Sequence, residues 1–121
     1  MSAFLSDEIR VCDLHGLLLD WVASCTEGDA ATRDPAQWLA AHDQGHFRYG
    51  SNAAQGIHII IRENITWDGQ AATLRRVKGG LGTFSEYGSN IVVAGLRALI
   101  ASRLGHIVRD IPDEILGRAG A

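Results

Sequence analysis

Tyr49-Gly50-Ser51-Asn52-Ala53-Ala54-Gln55-Gly56-Ile57-His58-Ile59-Ile60-Ile61-Arg62 is the stretch on which the fold turns. Its first four residues recur as Tyr87-Gly88-Ser89-Asn90, just ahead of the apolar segment Ile91 to Leu104. In both copies a glycine-serine-asparagine turn delivers the chain into an apolar element. The two elements read differently. Ile57, Ile59, Ile60 and Ile61 are β-branched, and a short run of such residues after Gly56 predicts a strand. Ile91 to Leu104 predicts a helix, capped by Ser89 or Asn90 and stopped at Gly105. That helix is apolar nearly all round, so it is expected at the centre of the molecule. Arg97 is the exception within it. A guanidinium among such neighbours has to reach a carboxylate, backbone carbonyls or the surface, because burying it unpaired costs several kcal/mol.

Upstream, Asp13 is a candidate N-cap for a helix carrying Leu14, Leu17, Leu18, Trp21, Val22 and Cys25 at helical spacing, with Gly28 as a left-handed terminator. Asp20 and Ser24 are assigned to its solvated side. Gly16 within it implies a close neighbouring backbone. Asp34-Pro35 starts a second, short helix bearing Trp38, Leu39 and His42 and ending near Gly45. Between the helices and the tail the pattern turns to strands. Phe47-Arg48-Tyr49, Ile57 to Arg62, Asn64 to Trp67 and Ala72 to Val77 are the candidates, with Asp68-Gly69 as a hairpin turn. Lys78 to Thr83, rich in glycine, reads as a connection, and Ile111 to Leu116 as an edge segment or helical turn.

The whole predicts one α+β domain over residues 1–121, with a small, mainly antiparallel sheet from about 47 to 77 packed against the N-terminal and C-terminal helices. The chain has 121 residues, 46% hydrophobic and 21% charged, enough for a single core. No run approaches the roughly 18 apolar residues of a membrane helix, and the start is acidic, which together predict a cytosolic protein. The net charge of −3 hides a division. Residues 1–34 carry seven acids (Asp7, Glu8, Asp13, Asp20, Glu27, Asp29, Asp34) against Arg10 and Arg33, while residues 75–109 carry six bases (Arg75, Arg76, Lys78, Arg97, Arg103, Arg109) against Glu86. Those halves attract one another, within the chain or across a homo-oligomer, or else the basic half receives an anion. Overall acidity disfavours duplex nucleic acid.

No catalytic signature is complete. His42 and His46 have the spacing of zinc hydrolases but lack the adjacent glutamate base, and Gly45 ends the helix between them. Cys12 and Cys25 form no CxxC pair, so neither metal nor cofactor is expected. Gly79-Gly80-Leu81-Gly82-Thr83, behind Arg75, Arg76 and Lys78, offers donors for a phosphate but matches neither nucleotide fingerprint. No serine lies in a GxSxG elbow. Asn64-Ile65-Thr66 fits a glycosylation acceptor only by pattern.

Three blocks, in order, carry a family resemblance. Leu14-His15-Gly16-Leu17-Leu18-Leu19-Asp20-Trp21-Val22-Ala23, then Tyr49 to Gly56 with Ile60, Arg62, Glu63 and Ile65, then Ala94 to Gly105 with Ile111-Pro112-Asp113-Glu114-Ile115, resemble the NinX-like proteins of tailed phages and prophages. The chain departs from that pattern at Ala53, where the family tends to have tryptophan, and at Ile57-His58, where it tends to have Gly-Pro. The resemblance implies a phage or prophage accessory protein acting in the bacterial cytoplasm, and it implies no reaction.

Two functions follow as expectations. The first is non-enzymatic binding of a host component, as a homodimer, with Trp38, Trp67 and Phe84 as candidate contact aromatics. The second is binding of a small anionic ligand such as a nucleotide, with Tyr49, Ser51, Asn52, Gln55 and Arg97 as the polar lining and Arg97 meeting a phosphate beside the Gln55 bend.

Overall fold

The computed structural model describes residues 8–75 and 83–120. In chain order these form β1 (Ile9–Arg10), α1 (Gly16–Glu27), α2 (Pro35–Asp43), α3 (Ala53–Arg62), β2 (Thr66–Trp67), β3 (Ala71–Arg75), β4 (Thr83–Tyr87), α4 (Ile91–Leu104), β5 (Ile107–Val108) and α5 (Asp113–Gly120). Short 3-10 turns, Val11–Asp13 and Ala30–Arg33, precede α1 and α2. The fold is α+β with small antiparallel sheets, as expected. No helix among the described residues is long and apolar enough to cross a membrane.

The decisive stretch is a helix, not a strand. Asn52 caps α3, its side chain accepting the Ala54 amide at 2.9 Å. Gly56, Ile59 and Ile60 are buried, whereas His58 and Ile61 are exposed, a helical and not an alternating pattern. Four isoleucines cost a helix at most about 0.7 kcal/mol each relative to alanine. Burying Ile59 and Ile60 returns roughly 1.5–3 kcal/mol apiece, so packing outweighs local preference. Phe47-Arg48-Tyr49 is not a strand either, since Phe47 has a φ of 57°. The main sheet therefore begins at Thr66 and extends to Tyr87, later than the expected 47–77 span.

In that sheet the order is β2-β3-β4, all antiparallel, with Thr66 opposite Thr73 and Thr73 opposite Ser85. Strand β4, absent from the sequence reading, pairs along the whole of β3. Ala72 and Leu74 point inward and are buried. They lie against α4, which is the centre of the molecule: Val92, Ala94, Leu96, Leu99, Ile100 and Ala101 are all at most 3% exposed. Helices α1 and α3 cover its other sides. Strands β1 and β5 pair as Ile9 with Val108 and Arg10 with Ile107, joining the segment before α1 to the segment after α4. The expected segment Ile111 to Leu116 contains the start of α5, which packs on α1 and α2.

Helix α1 starts at Gly16, not at a cap on Asp13. Gly16 has a φ of 54° and nothing near its missing Cβ, so it serves the turn into the helix and no close neighbour. Gly28 closes α1 in the left-handed region and Asp34 caps α2 through the Gln37 amide, both as expected. Close approach occurs instead between α3 and α4. A Cβ on Gly56 would strike the Tyr49 carbonyl oxygen and Val92, and one on Gly95 would strike the tip of Ile60. Gly56 meets Val92, Ile60 meets Gly95, and Glu63 meets Arg103, so the two helices run in the same direction.

Candidate functional site

Asp20 organises the centre of the N-terminal half. Its side chain is fully buried on α1, facing α2 and the loop before α3, and not on a solvated side. Oδ1 accepts the amides of Gly50 (2.7 Å) and Ser51 (3.0 Å); Oδ2 accepts the Ser51 hydroxyl (2.5 Å) and Nε2–H of His42 (2.8 Å). Four donors saturate the carboxylate, which is the condition for a buried charge to be tolerated. His42 stacks on Trp38 with centroids 4.8 Å apart. Trp38 in turn meets Trp21 edge-on at 5.1 Å and donates its indole N–H to buried Ser24 at 3.0 Å. Arg48 closes the cluster from outside, with Nε and Nη2 on the His42 carbonyl at 2.9 and 2.7 Å.

Serine, histidine and aspartate thus meet, but in the wrong order for nucleophilic catalysis. A serine nucleophile needs the imidazole between hydroxyl and carboxylate. Here the carboxylate is in the middle, so the Ser51 hydroxyl gives its hydrogen bond to Asp20 and no ring nitrogen is bonded to it. What the cluster does is fix the first Tyr-Gly-Ser-Asn turn onto α1.

The five residues expected to line a polar pocket are each engaged within the chain. Ser51 is held by Asp20, and Asn52 caps α3. Gln55 accepts the Arg48 amide at 2.8 Å and donates to the Gly45 carbonyl at 2.7 Å. The Tyr49 hydroxyl donates to Asp29 at 2.8 Å; burial, then that bond, pushes the phenol pKa well above its ordinary value. Arg97 lies elsewhere. Its Nε donates to the Leu14 carbonyl at 2.8 Å and its Nη1 to the Tyr87 carbonyl at 2.7 Å. Backbone carbonyls, one of the three foreseen outlets, satisfy it, and its partners are not at the Gln55 bend. Trp38 is core, while Trp67 and Phe84 pack against the core and are half-buried.

The two tetrapeptide copies are structurally equivalent to a degree the sequence reading missed. Each ends in an asparagine N-cap, Asn52 on the Ala54 amide and Asn90 on the Val93 amide at 2.9 Å. Because α3 and α4 run in parallel, both helix starts lie at one end of the molecule. Between them opens an apolar cleft of about 380 Å³ lined by Ala53, Ala54, Ile57, Asn90, Ile91 and Val92.

Beyond the opposite end of α3, Arg62 bridges Glu27 (2.7 and 2.8 Å) and Glu63 (2.9 Å), and Arg103 reaches Glu63 at 3.5 Å. The Arg62 hydrogen bonds hold the Glu27 carboxyl below the ordinary carboxylate range, and Arg62 itself is raised. Arg109 pairs with Glu8 at 3.1 Å, so part of the acidic-to-basic attraction is spent inside the chain. No group of three potential metal ligands occurs among the described residues. The expected anion cradle at Gly79 to Thr83 lies, but for Thr83, outside them.

Asp20 is the functional-looking residue that sequence reasoning missed, and His42, weighed there only with His46, pairs with it instead. A signal existed: Leu17-Leu18-Leu19 and Trp21-Val22-Ala23 flank Asp20 on both sides, leaving α1 no polar face there. The chain matches no protein-family model and no curated protein.

Proposed function

We propose that this chain is a NinX-like phage or prophage accessory protein that works without catalysis, by binding a bacterial host protein in the cleft between the starts of α3 and α4. The observation that carries the reading is the contrast between the two kinds of surface. Asp20, His42, Ser51 and Gln55 are consumed in internal hydrogen bonds, whereas Ala53, Ala54, Ile57 and Ile91 leave apolar surface open to solvent. Three sequence blocks support the family context.

The cleft also favours a particular occupant. Two parallel helices bring their positive dipole ends to the same rim, although Asn52 and Asn90 already accept the Ala54 and Val93 amides there. An apolar side chain beside a carboxylate fits both features, so the occupant is an acidic, apolar segment of the host protein. No carboxylate of the chain lines the cleft.

Affinity capture from bacterial lysate, with the wild type and an Ala54→Arg variant, tests this. Ala54 is exposed, so the variant keeps its thermal midpoint. The expected result is a host protein retained by the wild type and by an Asp113→Asn control, and reduced at least about tenfold by Ala54→Arg. Equal retention by all three proteins would overturn the reading.

A further inference from the structure

The main sheet has a second face. Residues of β3 alternate, with Ala72 and Leu74 turned to α4 and Thr73 and Arg75 turned away. On that outer face the register sets Thr66, Thr73 and Ser85 in one row across the three strands. The Thr73 and Ser85 hydroxyls are 3.0 Å apart. Ahead of β2 the chain passes through Asn64, whose φ of 55° turns it between the end of α3 and the strand. Asn64, Thr66, Thr73 and Arg75 together line a polar cleft of about 290 Å³.

Arg75 differs from the other arginines. Except for Arg33, each of the other described arginines is bonded to a carboxylate or a carbonyl of the chain, as Arg62 is to Glu27 and Arg97 to Leu14. Arg75 has no such partner among the described residues, and no carboxylate lines its cleft. A guanidinium beside two hydroxyls and a carboxamide, with no acid to neutralise it, has the donor set that an oxyanion requires.

We propose that the outer face of the sheet carries a phosphate-binding site centred on Arg75, with Thr66, Thr73 and Asn64 completing the donor set. The guanidinium supplies a planar pair of N–H donors, the Thr73 hydroxyl accepts from Ser85 and donates to a remaining oxygen, the Thr66 hydroxyl turns to the anion from its long 3.5 Å bond to the Thr73 carbonyl, and the carboxamide closes the rim. At about 290 Å³ the cleft lies at the lower end of the range of small-ligand sites, with room for a phosphate. Free orthophosphate and the phosphate of a nucleoside monophosphate share that chemistry. This site is on different elements from the α3–α4 cleft, and the two stand or fall separately.

Two-dimensional ¹H–¹⁵N NMR titration of the full chain with orthophosphate, with adenosine monophosphate and with chloride at matched ionic strength tests the proposal. Saturable shifts at Thr66, Thr73 and the Arg75 side chain, weakened about ten- to a hundredfold in Arg75→Gln, are expected. Equal affinity for the two phosphates assigns the site to the phosphate alone; tighter binding of the nucleotide adds the sugar or base, and both outcomes support the site. Three results would overturn it: no saturable shift, shifts reproduced by chloride, or unchanged affinity in Arg75→Gln with its spectrum otherwise native.

Discussion

Ser51 gives both its amide, at 3.0 Å, and its hydroxyl, at 2.5 Å, to the carboxylate of Asp20. This double attachment ties the turn before α3 to the middle of α1. It determines where α3 starts, and therefore where one wall of the α3–α4 cleft stands. The Gly50 amide and His42 take the other two acceptor positions, so the carboxylate has no spare capacity.

Replacing Asp20 by asparagine keeps the shape but turns an NH₂ group toward donors. Removing one partner of such a buried, fully bonded charge costs about 3–5 kcal/mol. Ser51→Ala loses one hydrogen bond and leaves the two amides in place, costing about 1–2 kcal/mol. Urea unfolding of the two variants measures the difference; equal costs would contradict the assignment of Asp20 as the hub.

The parallel packing of α3 on α4 makes two glycines unequal. An alanine at 56 meets a backbone oxygen, which cannot move without shifting the helix start, whereas one at 95 meets only the end of the Ile60 side chain. Gly56→Ala is expected to cost about 1–3 kcal/mol and Gly95→Ala less, as read by thermal unfolding. The reverse order would argue against the helix pairing described here.

Acid sensitivity should reside partly in Glu27. Its carboxyl is held below the ordinary range by Arg62, so its contribution is fully present above its unfolded pKa of about 4.3 and is lost as pH falls through the lower folded value. Arg62 is 46% exposed, which keeps the effect to no more than about 1 kcal/mol. Glu27→Gln is expected to destabilise at pH 7 and to converge with the wild type near pH ~3. A pH-independent difference would contradict the pairing.

Arg97 joins α4 to the segment before α1 and to the end of β4 through two carbonyls. Lysine keeps the charge but has one nitrogen for both, so Arg97→Lys should cost about 1–2 kcal/mol in chemical denaturation. A lysine variant as stable as the wild type would show that one of the two bonds contributes nothing.

Much of this architecture was legible in the sequence, and the failures share a cause. Gly28, the Asp34-Pro35 start, Asn90 and Gly105 are local signals, and each stands where the capping chemistry puts it. Asn52 carries the same signal as Asn90, but the isoleucines after it favour a strand locally. Only contact with Val92 and Gly95 decides for a helix. Strand β4 was hidden because the glycines before Thr83 read as one connection. Asp20 read as solvated because its partners, Gly50 and Ser51, lie in a distant turn that no short window includes. The proposed polar pocket failed to assemble for the same reason: Arg97 found its carbonyls at Tyr87, ten residues back, and at Leu14, 83 residues back, and neither is at the Gln55 bend.

The claim on which the functional account rests is that the cleft between the two asparagine-capped helix starts receives a partner. A photo-crosslinking residue placed at position 54, with another at position 113 as a control, tests this in living bacteria. The account predicts a discrete adduct with a single host protein from position 54 and none from position 113. The same adducts from both positions, or none from position 54 in a correctly folded protein, would contradict it.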